Sequence, residues 1–386
     1  HAALALVERL ARRGLLTSDR LRPALVTLSR NTDWWTRRGA PAYGRSIGRG
    51  EDPITLKYVP GSGLVLHQLA SWGKVNWLAG SCLRDPIHCP RRRLRAGVDT
   101  LMGLAVRRDG IVRAESYFPF GRARAPWISA MTQGTLIQAL VRTGTVLHAP
   151  GDRRRARAAL GAFALPPPVG VSVPAVGGRH FLMYSTDPGL RVLNGHLQAL
   201  TGLRDLATLG GSARAARLFR AGEHAARAEL RADDTGAWSR YADGGAEASV
   251  PYHVLVTGFL GNLCDRHAGR RYCAAQRRFR RYLAEPTRVV LRAARRPRPH
   301  RATAVSFWIS KSSSVTLSVR DRRGRVVLQR NAHLPRGRHA FSWTPPHHGA
   351  YGLDVVARGP GTPPPGTASA RVFSPRPPRR PQRSDG

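Results

Sequence analysis

Tyr184, Tyr241, Tyr252 and His253 fall where helical periodicity gives way to short hairpin-like stretches, which places four acid–base groups at element junctions. A tyrosine ionises near pH ~10 and serves as a base near neutrality only when cations close to it depress that value. Cations are abundant: the 386-residue chain carries a formal charge of +40, and of its 63 basic residues only Lys57, Lys74 and Lys311 are lysines. A skew to arginine, alanine, glycine and proline is also what a GC-rich coding sequence produces. Such a field attracts carboxylated or sulfated glycans, nucleic acid and anionic lipid without distinguishing them. The runs Arg91–Arg93 and Arg153–Arg155 read as solvated surface. Asp234-Thr235-Gly236 matches an aspartic-protease signature, but it occurs once and without the flanking strands, so that class is set aside.

The four cysteines form two close pairs, Cys82 with Cys89 and Cys264 with Cys273. This spacing favours two local disulfides, with free buried thiols and a zinc site as the competing readings; zinc pairs normally sit closer together. Disulfides point to an oxidising compartment, hence to a secreted or envelope-associated protein. The sequence starts at His1 with no initiator methionine or signal peptide, which suggests that the natural N-terminus lies upstream. No apolar run is long enough to cross a bilayer, and no metal or cofactor is expected.

The elements that must position these groups come in two styles. Residues 3–30 show helical periodicity interrupted at Gly14 and Pro23, and 36–62 read as extended and partly looped. Helical spacing returns over Gly63–Gly80 and Ala96–Arg107. It recurs near 127–146, 152–162, 190–207, 211–230, 250–264 and 271–284, with a Val/Pro/Gly hairpin at 167–184. Consecutive antiparallel helices joined by loops bearing polar aromatics suit an α/α toroid (an incomplete α/α barrel) over 63–285, after an N-terminal segment at 1–62. Past Pro286 the period becomes two, as in Val305-Ser-Phe307-Trp-Ile309 and Val315-Thr-Leu317-Ser-Val319, which predicts a small β-sandwich over 286–374. The Pro/Arg-rich tail 375–386 has too little apolar content to order itself. The expected class is mainly α with appended β.

Four ordered blocks narrow this further. Trp127-Ile-Ser129-Ala130-Met131-Thr-Gln133-Gly134 resembles the W-x-S-A-M-A-Q-G helix start of the D-glucuronyl C5-epimerases. Tyr184 through Val192-Leu193-Asn194-Gly195, continuing into Leu200-Thr-Gly202-Leu203-Arg-Asp205-Leu206, resembles that family's E-Y-P…V-L-N-G and L-I-G-L-Y-D-L segments. Asp234-Thr235-Gly236 through Tyr241 resembles D-T-G…Y-D, and Tyr252-His253 resembles Y-H at the next helix start. His67-Gln68-Leu69-Ala70-Ser-Trp72-Gly73 is a fainter echo of Q-I-A-Q-Y-G. The resemblance is good over about 115–285. The chain departs from it at Met183, where the family has glutamate, at Ser185, where it has proline, and after Tyr241, where Ala242-Asp243-Gly244 stands in place of an arginine; Glu115 and Asp187 are the candidate replacements for the glutamate.

The resemblance implies an epimerase that inverts carbon 5 of glucuronate inside an anionic polysaccharide, giving L-iduronate, with no specific nucleic-acid partner. Inversion needs two proton carriers on opposite ring faces and donors to meet the charge that develops on the carboxylate. Tyr184, Tyr252, Tyr241 and His253 are the implied proton carriers, and Trp127, Gln133, Asn194, Arg191 and Tyr117 the implied substrate contacts. Each has a plainer reading: a tyrosine packed at a hairpin end, a histidine satisfied inside a helix start, or a shape-determining glutamine or asparagine. Gly195 and Gly202 share a helix face and permit close packing. Two other functions stay open: a uronate lyase, whose β-elimination begins with the same proton abstraction, and a glycan-binding protein that has lost its acid at Met183.

Overall fold

The computed structural model describes residues 1–48, 50–361 and 363–376, so most of the predicted tail lies outside the described residues. The chain divides into two units, residues 1–232 with 258–273, and 233–257 with the described residues from 274 on. Among the described residues, no helix is long and apolar enough to cross a membrane.

The first unit opens with α1 (Ala2–Arg12) and α2 (Ser18–Trp35). Gly14, at φ +65°, ends the first of these turns, but α2 runs through a buried Pro23, so only one of the two predicted interruptions is a break. Three strands follow, β1 (Ser46–Gly48), β2 (Thr55–Val59) and β3 (Gly63–Leu66), paired antiparallel in that order. The helix predicted from Gly63 therefore begins only at α3 (Gln68–Arg84): the buried run Gly63–Leu66 pairs with β2 instead, since a short apolar run carries no period of its own. Helix α4 (Arg91–Met102) starts just after Pro90 and stops before Gly103, earlier at both ends than its periodicity suggested. Short pairs β4 (Val106–Arg108) with β5 (Ile111–Arg113), and β6 (Glu115–Ser116) with β7 (Trp127–Ile128), lead into α5 (Ala130–Val146). Then come α6 (Pro150–Ala159), α7 (Gly161–Ala164), the hairpin β8 (Ser172–Ala175) and β9 (Gly178–Phe181), α8 (Leu193–Thr208) and α9 (Ala213–Ala232).

Helix α5 is the hub, packed against α3 on one side and α8 on the other, with α9 against α8. The α5–α8 approach depends on two glycines. A Cβ on Gly202 would lie 2.2 Å from the Gly134 carbonyl oxygen, and one on Gly134 would lie 2.7 Å from the Ala199 Cα. Backbone cannot rotate aside, so these two positions set the interhelical distance. The same layer contains a buried polar network. Asp205 of α8 accepts from Gln138 Nε2 (2.8 Å), from Arg142 Nε (3.1 Å) and Nη2 (2.9 Å), and from Arg266 Nε (2.5 Å) and Nη2 (3.2 Å). Asn76 of α3 joins it through Gln138 (2.9 Å) and Arg142 (3.0 Å). Burial lowers the Arg142 pKa, and Asp205 is the main influence opposing that shift.

Helices α10 (Val250–Asp265) and α11 (Arg270–Ala284) supply residues to both units. Cys82, in the last turn of α3, is bonded to Cys89 after it, and Cys264 and Cys273 join the end of α10 to the start of α11, which settles the open alternatives in favour of two local disulfides. Among the described residues the second unit holds seven strands: β10 (Val289–Ala293), β11 (Thr303–Ile309), β12 (Ser313–Asp321), β13 (Val326–Leu334), β14 (Gly337–Trp343), β15 (Gly349–Arg358) and β16 (Gly366–Ser374). They form one sheet ordered β10-β11-β14 and another ordered β13-β12-β15-β16, all antiparallel. Inward residues from both sheets, among them Phe307, Leu317, Trp343 and Val355, form one buried cluster. Helices thus dominate the first part of the chain and antiparallel sheets its C-terminal part.

Candidate functional site

The first two motif blocks meet in the first unit. Ala130 N donates to Leu182 O (2.9 Å), Ser185 N to Ile128 O (3.0 Å), and Ile128 N to Ser185 Oγ (3.1 Å). Ser185, standing where a proline was expected, therefore supplies a donor and an acceptor that proline lacks. Ser129 caps α5 and its hydroxyl also donates to Met183 Sδ (3.3 Å). Met183 packs on the neighbouring block as well, since a Cβ on Gly195 would lie 3.1 Å from its Cε.

These contacts set Tyr184 in an aromatic nest. Its ring is 5.2 Å from that of Trp127 and 5.7 Å from that of Phe120, and Phe118 lies 5.5 Å from Trp127. The indole donates to Phe118 O (2.7 Å), which fixes its rotamer. Gln133 is wholly buried and spends both ends of its amide on backbone, accepting from Ala114 N (2.8 Å) and donating to Val112 O (3.0 Å). Asn194 is buried at the start of α8 with no hydrogen-bond partner for its Oδ1. Arg191 donates to Pro174 O (3.1 Å).

Tyr117 has a buried hydroxyl, and burial raises its pKa, with the neighbouring Glu115 carboxylate adding to the shift. Glu115 itself is clasped from both sides by Arg20, Nε to Oε2 at 2.7 Å and Nη2 to Oε1 at 2.9 Å, and this hydrogen bonding raises the Arg20 pKa. Asp187 is buried in the turn after Tyr184, where its N–H donates to Tyr184 O (3.1 Å).

The other two blocks meet in the second unit. Tyr241 and Tyr252 stand edge to face with ring centroids 4.8 Å apart, Tyr252 exposed and Tyr241 half-buried. His253 points the other way. It is fully buried, stacks 3.8 Å from Trp238, and engages both ring nitrogens, Nδ1 with Ser239 Oγ (2.8 Å) and Nε2 donating to Phe279 O (2.9 Å). Burial lowers its pKa. The Asp234-Thr235-Gly236 signature is a turn: Asp234 accepts from Gly236 N (2.9 Å), Tyr282 Oη (2.9 Å) and Arg278 Nε (2.9 Å), with Gly236 at φ +79°.

Among the described residues, His180, His196 and Glu229 bring potential ligand atoms within 4.8 Å of one another. His196 commits both nitrogens to backbone, accepting from Phe181 N (3.1 Å) and donating to Gly222 O (3.0 Å), while His180 Nδ1 faces the Glu229 carboxylate at 2.9 Å. Here the three groups form a hydrogen-bonded array, and a metal taken by His196 would have to displace the backbone partner of whichever ring nitrogen bound it.

Sequence reasoning passed over Arg113. It stands on β5 between buried positions, is 4% exposed, and lines a pocket of about 390 Å³ together with Trp127. In the sequence it stands in Ile111-Val-Arg-Ala-Glu115, where nothing marks it among the chain's many arginines.

Residues 109–280 match the family model of the D-glucuronyl C5-epimerase C-terminus, in agreement with the span of the four blocks and in support of a role in carbohydrate epimerisation. No curated protein sequence matches the chain. Among solved structures, an unsaturated glucuronyl hydrolase responsible for the degradation of glycosaminoglycan, from Bacillus sp. GL1, aligns at 14% identity and a TM-score of 0.39. That alignment covers 56% of this chain and 67% of the other. Cellobiose 2-epimerase from Bacillus thermoamylovorans aligns at 11% identity and a TM-score of 0.42 over 74% of each chain. A CARDB domain from Pyrococcus furiosus aligns at 13% identity and a TM-score of 0.18, covering 23% of this chain and 93% of that domain.

Proposed function

From the match of residues 109–280 to the D-glucuronyl C5-epimerase C-terminus, we propose that the chain converts D-glucuronate to L-iduronate units within an acidic polysaccharide, by removal and return of the carbon 5 proton. The observation that carries this reading is the agreement of that match with four motif blocks in the right order. We read the helical part as an α/α toroid and the two C-terminal sheets as a β-sandwich accessory domain. Two disulfides support a secreted or envelope-associated setting.

In this reaction a base takes the proton from carbon 5, the electron pair passes into the adjacent carboxylate, and an acid on the other face returns a proton to give the inverted centre. Tyr184 and Tyr252 are our candidates for the two proton carriers, with Tyr241, edge-on to Tyr252, orienting it. Trp127 packs against Tyr184 and serves as a positioning group for it. His253 is reassigned from proton carrier to support, since both of its nitrogens are committed inside the protein. Gln133 likewise holds α5 to the Val112–Ala114 backbone and is not a substrate contact. Glu115 does not replace the acid missing at Met183, because both its oxygens are engaged by Arg20.

The lyase alternative shares the first step and differs in product. Incubation with a heparosan-type glucuronate polymer should leave chain length unchanged and produce iduronate signals by NMR. Growth of ultraviolet absorbance from an unsaturated uronate, with shortening chains, would replace the epimerase reading by the lyase one.

A further inference from the structure

The pocket beside Trp127 is built from an unusual surplus of guanidinium groups. Arg13, Arg20, Arg108, Arg113 and Arg124 line it, against only two carboxylates, Asp109 and Glu115. Most of these arginines are already occupied. Arg20 holds Glu115 through its Nε and Nη2 edge, Arg108 reaches Thr17 Oγ1 (2.9 Å) and Asp19 (3.3 Å), and Arg13 donates to Ala125 O (3.3 Å). Arg113 differs from all of them. It is 4% exposed, and its Nε and Nη2 are buried without a hydrogen-bond partner.

A guanidinium withdrawn from water with two donors unsatisfied is costly, and folded proteins tolerate it where a ligand completes the pairing. The Nε–Nη2 edge is the one Arg20 uses on Glu115, so it presents two parallel donors spaced for the oxygens of a carboxylate or sulfate. Glu115, oriented by Arg20 through both oxygens, makes no hydrogen bond to the Arg113 Nε or Nη2. Burial lowers the Arg113 pKa, and Glu115 and Asp109 offset this in part, so an anion in the pocket would restore what desolvation removes. Apart from Thr186 the rest of the lining is apolar, including Leu15, Pro126, Trp127 and Val169, and offers a face for the C–H side of a sugar ring. The volume falls within the range of small-molecule sites.

We propose that this pocket is an oxyanion subsite that takes the carboxylate or sulfate of an acidic sugar unit, held by the Nε–Nη2 edge of Arg113. The identity of the ligand as a glycan rests on the epimerase reading above; the anion site itself rests on Arg113. Trp127 lines the pocket and also packs on Tyr184, so the pocket and that tyrosine share one indole as a common wall.

The test is calorimetric titration at fixed ionic strength with methyl glucuronide, methyl glucoside, inorganic sulfate and a single-stranded oligonucleotide. The proteins are the natural chain, Arg113→Gln, Arg113→Lys, Arg124→Gln and, as a control on the C-terminal sheets, Arg336→Gln. Glucuronide or sulfate should bind, glucoside should not, and Arg113→Gln should weaken the anion by about tenfold or more. Arg113→Lys should fall between, since it keeps the charge and loses the fork, and Arg336→Gln should match the natural chain. Glucuronide binding without sulfate binding marks the pocket as a carboxylate site, and the reverse marks it as a sulfate site. If Arg113→Gln does not fold, Arg124→Gln decides, with a loss of about threefold expected from removing one exposed cation at the rim. Unchanged affinity in the folded Arg113 variants, equal binding of the neutral glucoside, or an Arg113-dependent preference for the oligonucleotide overturns the proposal. Anion binding that depends on Arg113 in a protein without carbon 5 exchange would leave the subsite standing and remove the epimerase reading alone.

Discussion

Replacing Asp205 by asparagine tests whether the network between α3, α5 and α8 holds the first unit together. The change conserves shape and removes one charge. In the natural chain Oδ2 accepts four hydrogen bonds, from Gln138, twice from Arg142 and once from Arg266, while Oδ1 accepts the shortest, 2.5 Å from Arg266 Nε. An asparagine amide must turn its NH2 toward one of these two sets, so at least one guanidinium meets a donor in place of an acceptor. Asp205 is 4% exposed, and the side chains of Arg142 and Arg266 are 15% and 20% exposed, so water gives little relief. Breaking a buried ion pair from one side costs about 3–5 kcal/mol. For a unit of this size each kcal/mol lowers Tm by about 2–4 °C, which puts the loss at roughly 6–20 °C. Thermal and urea unfolding followed by far-ultraviolet circular dichroism would measure it. A shift under about 0.5 kcal/mol, the ordinary effect of a surface substitution, would refute the assignment of Asp205 as a structural hub.

Gly202→Ala should destabilise by about 1–3 kcal/mol or more, because the new methyl would stand 2.2 Å from a carbonyl oxygen; a urea midpoint equal to that of the natural chain would show that the helices can part cheaply. Burial pushes His196 and His67 down to about 4, so between that value and ~6.5 the unfolded chain binds protons the folded chain refuses. Stability from this source is complete above pH ~6.5 and declines as pH falls toward 4, by up to about 3 kcal/mol for each histidine; urea midpoints that stay level or rise from pH 7 to 5 would contradict it. Each disulfide closes a short loop, for which chain entropy gives about 2.5 kcal/mol. Non-reducing mass mapping should find Cys82 with Cys89 and Cys264 with Cys273, and a lack of any change in Tm on full reduction would count against that contribution.

What the sequence disclosed depended on whether a local pattern carried the information. The helices α5, α8, α9, α10 and α11 and six of the seven C-terminal strands follow from periodicity, since one buried face repeats at a fixed interval. Gly63–Leu66 was misread because four buried residues have no period, and pairing with Thr55–Val59 decided the matter. Gly202 and Gly195 were legible as packing positions, but their partners, Gly134 and Met183, were not, because those contacts cross between elements. The disulfides were legible because their loops are short. His253 looked like a proton carrier from its position beside Tyr252, but consecutive residues on a helix point about 100° apart, and the structure turns one ring outward and the other into the core. Arg113 was invisible for a different reason: among so many arginines, only its burial and its unpartnered edge set it apart.

The central claim is proton transfer at carbon 5, and its most direct test is solvent exchange. A glucuronate polymer is incubated in heavy water with the natural chain, Tyr184→Phe, Tyr252→Phe and Met183→Glu, and deuterium at carbon 5 is read by NMR. Each phenylalanine removes only a hydroxyl, so the rings remain to pack against Trp127 and Tyr241. The account predicts exchange by the natural chain and a fall of about a hundredfold to ten-thousandfold in each tyrosine variant. Exchange that survives both tyrosine changes would contradict the assignment of these residues, and exchange seen only with Met183→Glu would show that the natural chain has lost the reaction.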